Sequence, residues 1–451
     1  MNESATAIEA AATTPRTPFF RRVDWSAFWA SFILSFAVYF YTMAPTVGLE
    51  DAGELAVASD YLGVPHPPGY PLWTMLTWVF TKVFSFVTFR GQPNPAWSVT
   101  LFSVVTGALA SGLTALLISR SGADLLQASR EASHTADRKT DNRICWIGGV
   151  VGSLVFSFSP VMWSQSVIIE VYSLNALFLM LLFVLTYNWL RRPSDKLLFA
   201  TAFVFGLGLT NYQVLLLAAL PLAVAILLKD VDLFRDFLIV GIVFVVTIAI
   251  IKMASLPEMV GFPKHDPANA KIYEGIAEHT PLLRHPKHYV HVLLSLGFVV
   301  VMSGVVRWRW RPRSWPPVAT GVLAIAVVIL LAVLVFLPSP PPLTPQPDKE
   351  TFSWTLYILG FSGAMIALVA LCLSIPGGGA PAIGLVAVEL ALAVMLKKGF
   401  LLSLHHPLSL WFGFYVLLNF LFLAAAWLCL PRGRTVAITL FMAQLGVAFY
   451  A

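Results

Sequence analysis

Apolar runs of about twenty residues, parted by short polar breaks, recur along almost the whole chain. Runs of that length cross a hydrocarbon core of about 30 Å as helices. The pattern predicts spans at about 25–43, 97–118, 145–164, 168–190, 197–210, 212–228 and 236–254. Further runs lie at about 290–306, 318–337, 352–374, 382–396, 407–430 and 435–451. The sum is a bundle of about 11–13 transmembrane helices. Residues 71–89 read differently: they are apolar but interrupted by threonines and Lys82, and rich in Trp and Phe. That mixture predicts a helix lying at the interface beside the first polar break.

Composition gives the same class. The chain is 58% hydrophobic and 12% charged, with a mean hydropathy of +0.79, far from the balance of a soluble domain. An all-α, integral multi-pass membrane protein follows. The net charge of +6 points to no nucleic acid, because most Lys and Arg flank apolar runs, where they set orientation. Residues 1–24 are expected to be a disordered cytoplasmic tail, with Ser26 to Met43 an anchor too long for a cleaved leader. Two modules are expected: 25–230 with a first outer loop at 44–96, and 231–451 with an outer loop at 255–289. Cys145, Cys372 and Cys429 match no metal spacing and read as small core residues.

The orientation set by the cytoplasmic Lys and Arg sends the unusual polar segments to one outer face. The first is residues 45–72, with Glu50, Asp51, Glu54 and Asp60, then His66 followed by Pro67, Pro68, Gly69 and Tyr70. With a helix over Gly53 to Tyr61, Asp51 and Glu54 lie near its N-terminus, where unpaired N–H groups favour carboxylates. The His66-Pro67-Pro68-Gly69 run forces a turn. The same face collects Glu170, Tyr172, Asn211 and Gln213, and the 255–289 loop with Arg284, Lys287 and His288. Ionisable and amide groups at such depth are costly and usually functional. Plainer roles stay open: Tyr172 in an aromatic belt, Asn211 and Gln213 capping a hairpin tip, His66 fixing the proline turn. Gly206 and Gly208 read as a close helix contact rather than a nucleotide fingerprint. The histidines lack tight metal spacing, so no metal and no cofactor is expected.

Three segments carry a family resemblance: APTVGLEDAGELAVASDYLGVPHPPGYPLW (44–73), SPVMWSQSVIIEVYSLNALF (159–178) and FGLGLTNYQVLLLAALP (205–221). They resemble, in order, a family of GT-C-type membrane glycosyltransferases of the protein O-mannosyltransferase kind. The likeness covers roughly residues 25–230 and implies a GT-C-like bundle with interfacial helices in the first outer loop. It also implies a polyprenyl-phosphate sugar donor, mannose among the candidates, and a protein, glycan or lipid acceptor. Asp51 matches the essential acid of that loop, with Glu54 beside it. Asp51 is then the expected general base of an inverting transfer, with Glu54 sharing that role or positioning the acceptor. His66, Tyr70, Glu170, Tyr172, Asn211 and Gln213 are candidate substrate contacts. Arg284, Lys287 and His288, with Lys397 and Lys398, are candidates for the leaving phosphate. Trp73 and Trp78 are expected to seat the interfacial helix beside the lipid chain. The lipid-linked sugar is a substrate, membrane lipids the surroundings, and a bacterial inner membrane with the site facing outward the expected location. The rival classes are a transporter or lipid flippase, which would place charges near the midplane in two repeated halves, and a non-catalytic scaffold.

Overall fold

The computed structural model describes residues 18–48, 50–67, 69–133 and 138–243, short pieces between 368 and 385, and 408–448. Among the described residues the elements are helices but for one hairpin of two-residue strands, Thr88–Phe89 against Gln92–Pro93. Its turn is Arg90-Gly91, both at positive φ, as a two-residue hairpin turn requires. Among the described residues three helices are long and apolar enough to cross a membrane, or four if one bent pair counts as a span. The protein is an all-α polytopic membrane protein. Most spans expected between 236 and 396, the 255–289 loop, and Lys397 and Lys398 fall outside the described residues.

The chain divides into two compact units, 1–222 with 441–451, and 223–440. The first opens with α1, Arg22–Thr42, then the short α2, Ala52–Tyr61, and α3, Pro71–Val83. The long α4, Pro95–Ser133, follows, then α5 (Arg138–Ser157), α6 (Pro160–Ser166), α7 (Tyr172–Arg191) and α8 (Asp195–Leu209). α3 rises only about 20 Å, too little to cross, in agreement with the interfacial reading. It buries Leu72, Trp73, Thr74, Thr77 and Thr81 and exposes Met75, Leu76, Val79 and Val83. Trp73 is thereby a correction to the expected lipid-facing role: it is fully buried, because it shares the core face with Leu72 and Thr77. Trp78 is half-buried.

Three other expectations are revised. The span predicted at 145–164 breaks between α5 and α6, which meet at 71°. Pro160 explains the break, since it offers no N–H and disfavours helical backbone at Ser159. α8 has 15 residues, and the run from Gln213 is a 3-10 turn to Ala218 followed by Ala219–Lys229. Neither element alone reaches full spanning length. At the other end, α1 begins at Arg22, so the boundary of the tail at 24 is too late. Asp24 is fully buried and takes Arg21 Nη2 at 2.6 Å and Ser119 Oγ at 2.6 Å.

Small residues let these helices approach. Ser35 Oγ meets Ser111 Oγ at 2.8 Å, and Ser153 Oγ meets Ser31 Oγ at 2.7 Å, tying α1 to α4 and α5. A Cβ on Gly149 would lie 2.8 Å from the carbonyl oxygen of Ala115, so only glycine allows α5 so near α4. Gly206 lies against the Ala443 backbone in the same way, the close contact expected there. Arg120, Arg191 and Tyr187 gather on Asp124 at 2.6, 2.9 and 2.6 Å. With Arg21 and Arg22, this end of the unit is basic.

The second unit contains helical residues 231–243 and the helix Leu408–Cys429. There Asp236 accepts from Arg235 Nη2 and from the Arg432 backbone N–H at 2.9 and 2.8 Å, while Arg432 pairs with Asp230. Cys145 and Cys372 are buried, as expected of core cysteines, whereas Cys429 is half-buried, and all three are unbridged.

Candidate active site

Opposite the basic end, the chain passages that join the helices of the first unit are laced together. The Ala44 N–H donates to the Val167 carbonyl at 2.8 Å, Asn94 Nδ2 to the Pro45 carbonyl at 2.8 Å, and Trp163 Nε1 to Thr42 Oγ1 at 3.1 Å. Those bonds bring the first polar break and the α6–α7 passage to one end, and a bond from Asn211 to the Val171 carbonyl adds the α8 tip. Asp51 caps the N-terminus of α2 in sequence, but its carboxylate accepts no backbone N–H there. It is 61% exposed and meets His66 Nε2 at 3.9 Å, beyond a hydrogen bond.

Glu54, three residues into α2, occupies the position from which an acid usually reaches back to the cap. Instead it accepts the backbone N–H of His66 at 2.6 Å and lies 3.3 Å from His66 Nδ1. A carboxylate only accepts, so Nδ1 carries the hydrogen. In the neutral ring Nε2 is then an acceptor, and the Tyr70 hydroxyl, 3.2 Å away, donates to it. Burial pushes the Tyr70 phenol above its ordinary range, helped by Tyr212, Glu170, Asp51 and Glu54 nearby, which keeps that donor protonated. The result is a fixed imidazole beside a free carboxylate.

The local backbone is bent to hold it. α2 ends on Leu62 in the left-handed region, and the Gly69 N–H donates to the His66 carbonyl at 3.0 Å. Gly69 has φ +95° and Tyr70 φ +43°. Glycine accepts that conformation freely, whereas for tyrosine it is strained. Strain of this kind persists where surrounding contacts enforce it. Here the Tyr70 side chain is buried among Trp73, Ile169, Val171 and Leu215, and its hydroxyl is bonded to His66.

Glu170 sits in the passage between α6 and α7, 6% exposed, with Oε2 accepting the Val171 N–H at 3.1 Å. Burial raises its pKa above the ordinary glutamate range. The Val171 bond opposes the shift, the charges of Glu50 and Asp51 add to it, and His66 opposes it. The carboxyl is thus within electrostatic reach of the Asp51–His66 group. Asn211, 1% exposed, donates Nδ2 to the Val171 carbonyl at 3.2 Å, and its Oδ1 is buried without a partner. The rings of Tyr172 and Tyr212 stand 5.2 Å apart, with Tyr70 6.5 Å from Tyr212. Gln213 is exposed at the start of the 3-10 turn. Asp51, Glu54, His66, Tyr70, Glu170, Tyr172 and Asn211 therefore converge, while Arg284, Lys287 and His288 lie outside the described residues.

Asp51, Glu54 and His66 also offer donor atoms within 4.8 Å of one another, a set that a divalent cation accepts. A cation would compete there with the Glu54–His66 contact. Two features escaped sequence reasoning: the Glu54–His66 pairing, and Lys82, whose Nζ reaches Asp60 Oδ1 at 3.0 Å and pins α3 to α2. The 22-residue separation of Lys82 and Asp60 carries no local signal.

Residues 51–234 match the protein O-mannosyl-transferase TMEM260 N-terminal domain. The chain is 30% identical over 205 residues to the protein O-mannosyl-transferase tmem260 of Dictyostelium discoideum, and 31% identical over 210 residues to that of Mus musculus. Those alignments cover 43% and 45% of this chain but 22% and 26% of the relatives, so the chain spans about a quarter of the length of these curated relatives. No solved structure matches it. Both relatives are eukaryotic and lend no support to the expected bacterial inner membrane. The matched segment holds the Asp51 loop, the Glu170 passage and the Asn211 tip together.

Proposed function

We propose that this protein is an inverting GT-C-type membrane glycosyltransferase that moves a sugar from a polyprenyl-phosphate carrier to an acceptor hydroxyl on the non-cytoplasmic side. The names of its relatives make mannose the first sugar to test and protein hydroxyls the first acceptors. The basic residues at the far end of the unit support the orientation. The single observation that carries the reading is the Asp51 carboxylate, exposed, capping nothing, and set against an imidazole fixed from behind by Glu54 and Tyr70.

In this reading Asp51 takes the acceptor's hydroxyl proton as the oxygen bonds to the anomeric carbon. The bond from that carbon to the phosphate oxygen breaks, and polyprenyl phosphate leaves with the electron pair. Ordinary carboxylates are ionised at neutral pH, as a base must be. His66 presents a defined polar edge beside Asp51 to orient the acceptor or the sugar. Charge on the leaving phosphate requires cations, a role we assign to Arg284, Lys287 and His288. The test is purified full chain in lipid nanodiscs with radiolabelled polyprenyl-phosphate sugars and hydroxyl acceptors. Transfer from at least one donor is expected, and none from any donor would end the proposal.

A further inference from the structure

We infer that Tyr172, Tyr212, Glu170 and Asn211 form the subsite that seats the transferred hexose beside Asp51. The inference rests on the transfer reading above and adds to it the part of the site that recognises the sugar.

A pyranose presents two chemistries at once. Its ring carries faces of polarised C–H bonds, and its rim carries hydroxyls that both donate and accept. Aromatic faces are negative and attract such C–H groups, while carboxyls and amides satisfy the rim. Sites that bind small polar molecules combine apolar walls with a few placed polar groups.

The passage from Glu170 to Tyr172 and the tip at Asn211 and Tyr212 supply this combination from two chain segments about 40 residues apart in sequence. Tyr172 and Tyr212 meet almost at right angles, 84° between ring planes at 5.2 Å, which makes a corner with two differently facing aromatic surfaces. Tyr172 is 41% exposed at the first turn of α7 and Tyr212 is half-buried. Neither tyrosine is sealed within the core.

Two polar groups of the subsite, Asn211 and Glu170, are buried. Asn211 is 1% exposed, and one side of its amide fastens the two segments through the Val171 carbonyl. Its other side, Oδ1, is a buried acceptor with no partner, an arrangement that is costly unless something donates to it. A sugar hydroxyl is such a donor. Glu170 keeps one carboxylate oxygen on the Val171 N–H, leaving the other for a hydroxyl, and its burial favours the protonated form that both gives and accepts.

Position supports the assignment. Glu170 feels the charges of Asp51 and His66, and Tyr70 links the His66 ring to Tyr212. Contacts from Tyr212 to Tyr70 at 6.5 Å between rings, from Tyr70 to His66 at 3.2 Å and from His66 to Asp51 at 3.9 Å lead from the tyrosine corner to the base, so a hexose seated there is on the base's side, as transfer requires.

The test compares two short-chain phosphodiester lipids of equal charge on the full chain in nanodiscs: citronellyl phosphomannose and citronellyl methyl phosphate, in which a methyl group replaces the sugar. The wild type is expected to bind the phosphosugar more tightly. Tyr172→Ala and Glu170→Ala are expected to reduce that preference by about tenfold, or about 1.4 kcal/mol, with binding of the sugar-free diester unchanged. Tyr172→Phe keeps the ring and is expected to restore the preference. Asp51→Asn, which removes the base alone, is expected to keep it. An unchanged preference in both Tyr172→Ala and Glu170→Ala overturns the subsite. An equal loss of both lipids overturns it too, since that is the mark of a structural role. If the wild type binds both lipids equally while still transferring sugar, the subsite falls and the transferase stands. If it binds neither and transfers nothing, the transferase reading falls first and takes the subsite with it.

Discussion

Glu54 holds His66 by two atoms at once, its carboxylate accepting the backbone N–H at 2.6 Å and lying 3.3 Å from ring Nδ1. One glutamate thus sets both where the proline turn leaves α2 and how the imidazole faces Asp51. The ring's hydrogen is placed on Nδ1, and Nε2 is turned toward Tyr70 and Asp51.

Replacing that glutamate isolates the contact. Glu54→Gln keeps the shape but removes the charge that strengthens the hydrogen bonds, worth about 1.5–3 kcal/mol for a charged partner. Transfer is expected to fall about tenfold, at the lower end because Glu54 is about half exposed. Steady-state rates of the variant check this, with thermal stability nearly unchanged as the control.

Gly69 tests whether the strained turn positions Tyr70. At φ +95° an added Cβ would lie 3.2 Å from Val64 Cγ1, so Gly69→Ala is strained twice over. A loss of about 1 kcal/mol is expected, together with reduced transfer as the Tyr70 hydroxyl leaves His66. A thermal melt and a rate measurement on the same preparation separate the two effects. Normal transfer in a destabilised variant would detach Tyr70 from the chemistry.

Lys82 makes the opposite case. Its ion pair with Asp60 is about half exposed on the lysine side, and such pairs are worth about 0.2–1 kcal/mol. Lys82→Met is expected to lower stability within that range and leave transfer intact. A double-mutant cycle with Asp60→Asn measures the coupling, and a value well above about 1 kcal/mol would mean that the pair does more than fasten α3 to α2.

Glu170 carries a pH signature. Its folded pKa is raised by burial, so the folded protein holds this proton more tightly than the unfolded chain. The penalty for ionising it is absent below the ordinary glutamate range and grows as pH rises through that range to the folded pKa. Relative to Glu170→Gln, the wild type is therefore expected to lose stability as pH rises over that window and to change no further above it. Parallel melts across the acidic range check the sign. A wild type that gained on the variant with rising pH would contradict the buried placement.

Much of this was legible in the pattern of the chain. The run of apolar segments disclosed the membrane class. The breaks around Asp51, Glu170 and Asn211 disclosed which residues share an end, because each follows or precedes a helix whose direction the flanking arginines set. Three things were hidden for physical reasons. The bend at Ser159-Pro160 looked continuous because its apolar composition does not change. Trp73 looked lipid-facing because an aromatic residue near an interface suits either side of a helix, and only packing decides. The Glu54–His66 bond depends on the path of the turn through Leu62 and Gly69, which no spacing rule encodes.

The most direct test is Asp51→Asn in the full chain, assayed for sugar transfer and for binding of the phosphosugar lipid. Loss of a general base slows reactions by about 10²–10⁴. Transfer is expected to fall by at least about a hundredfold while donor binding and membrane insertion stay normal. Transfer at the wild-type rate by Asp51→Asn would contradict the account.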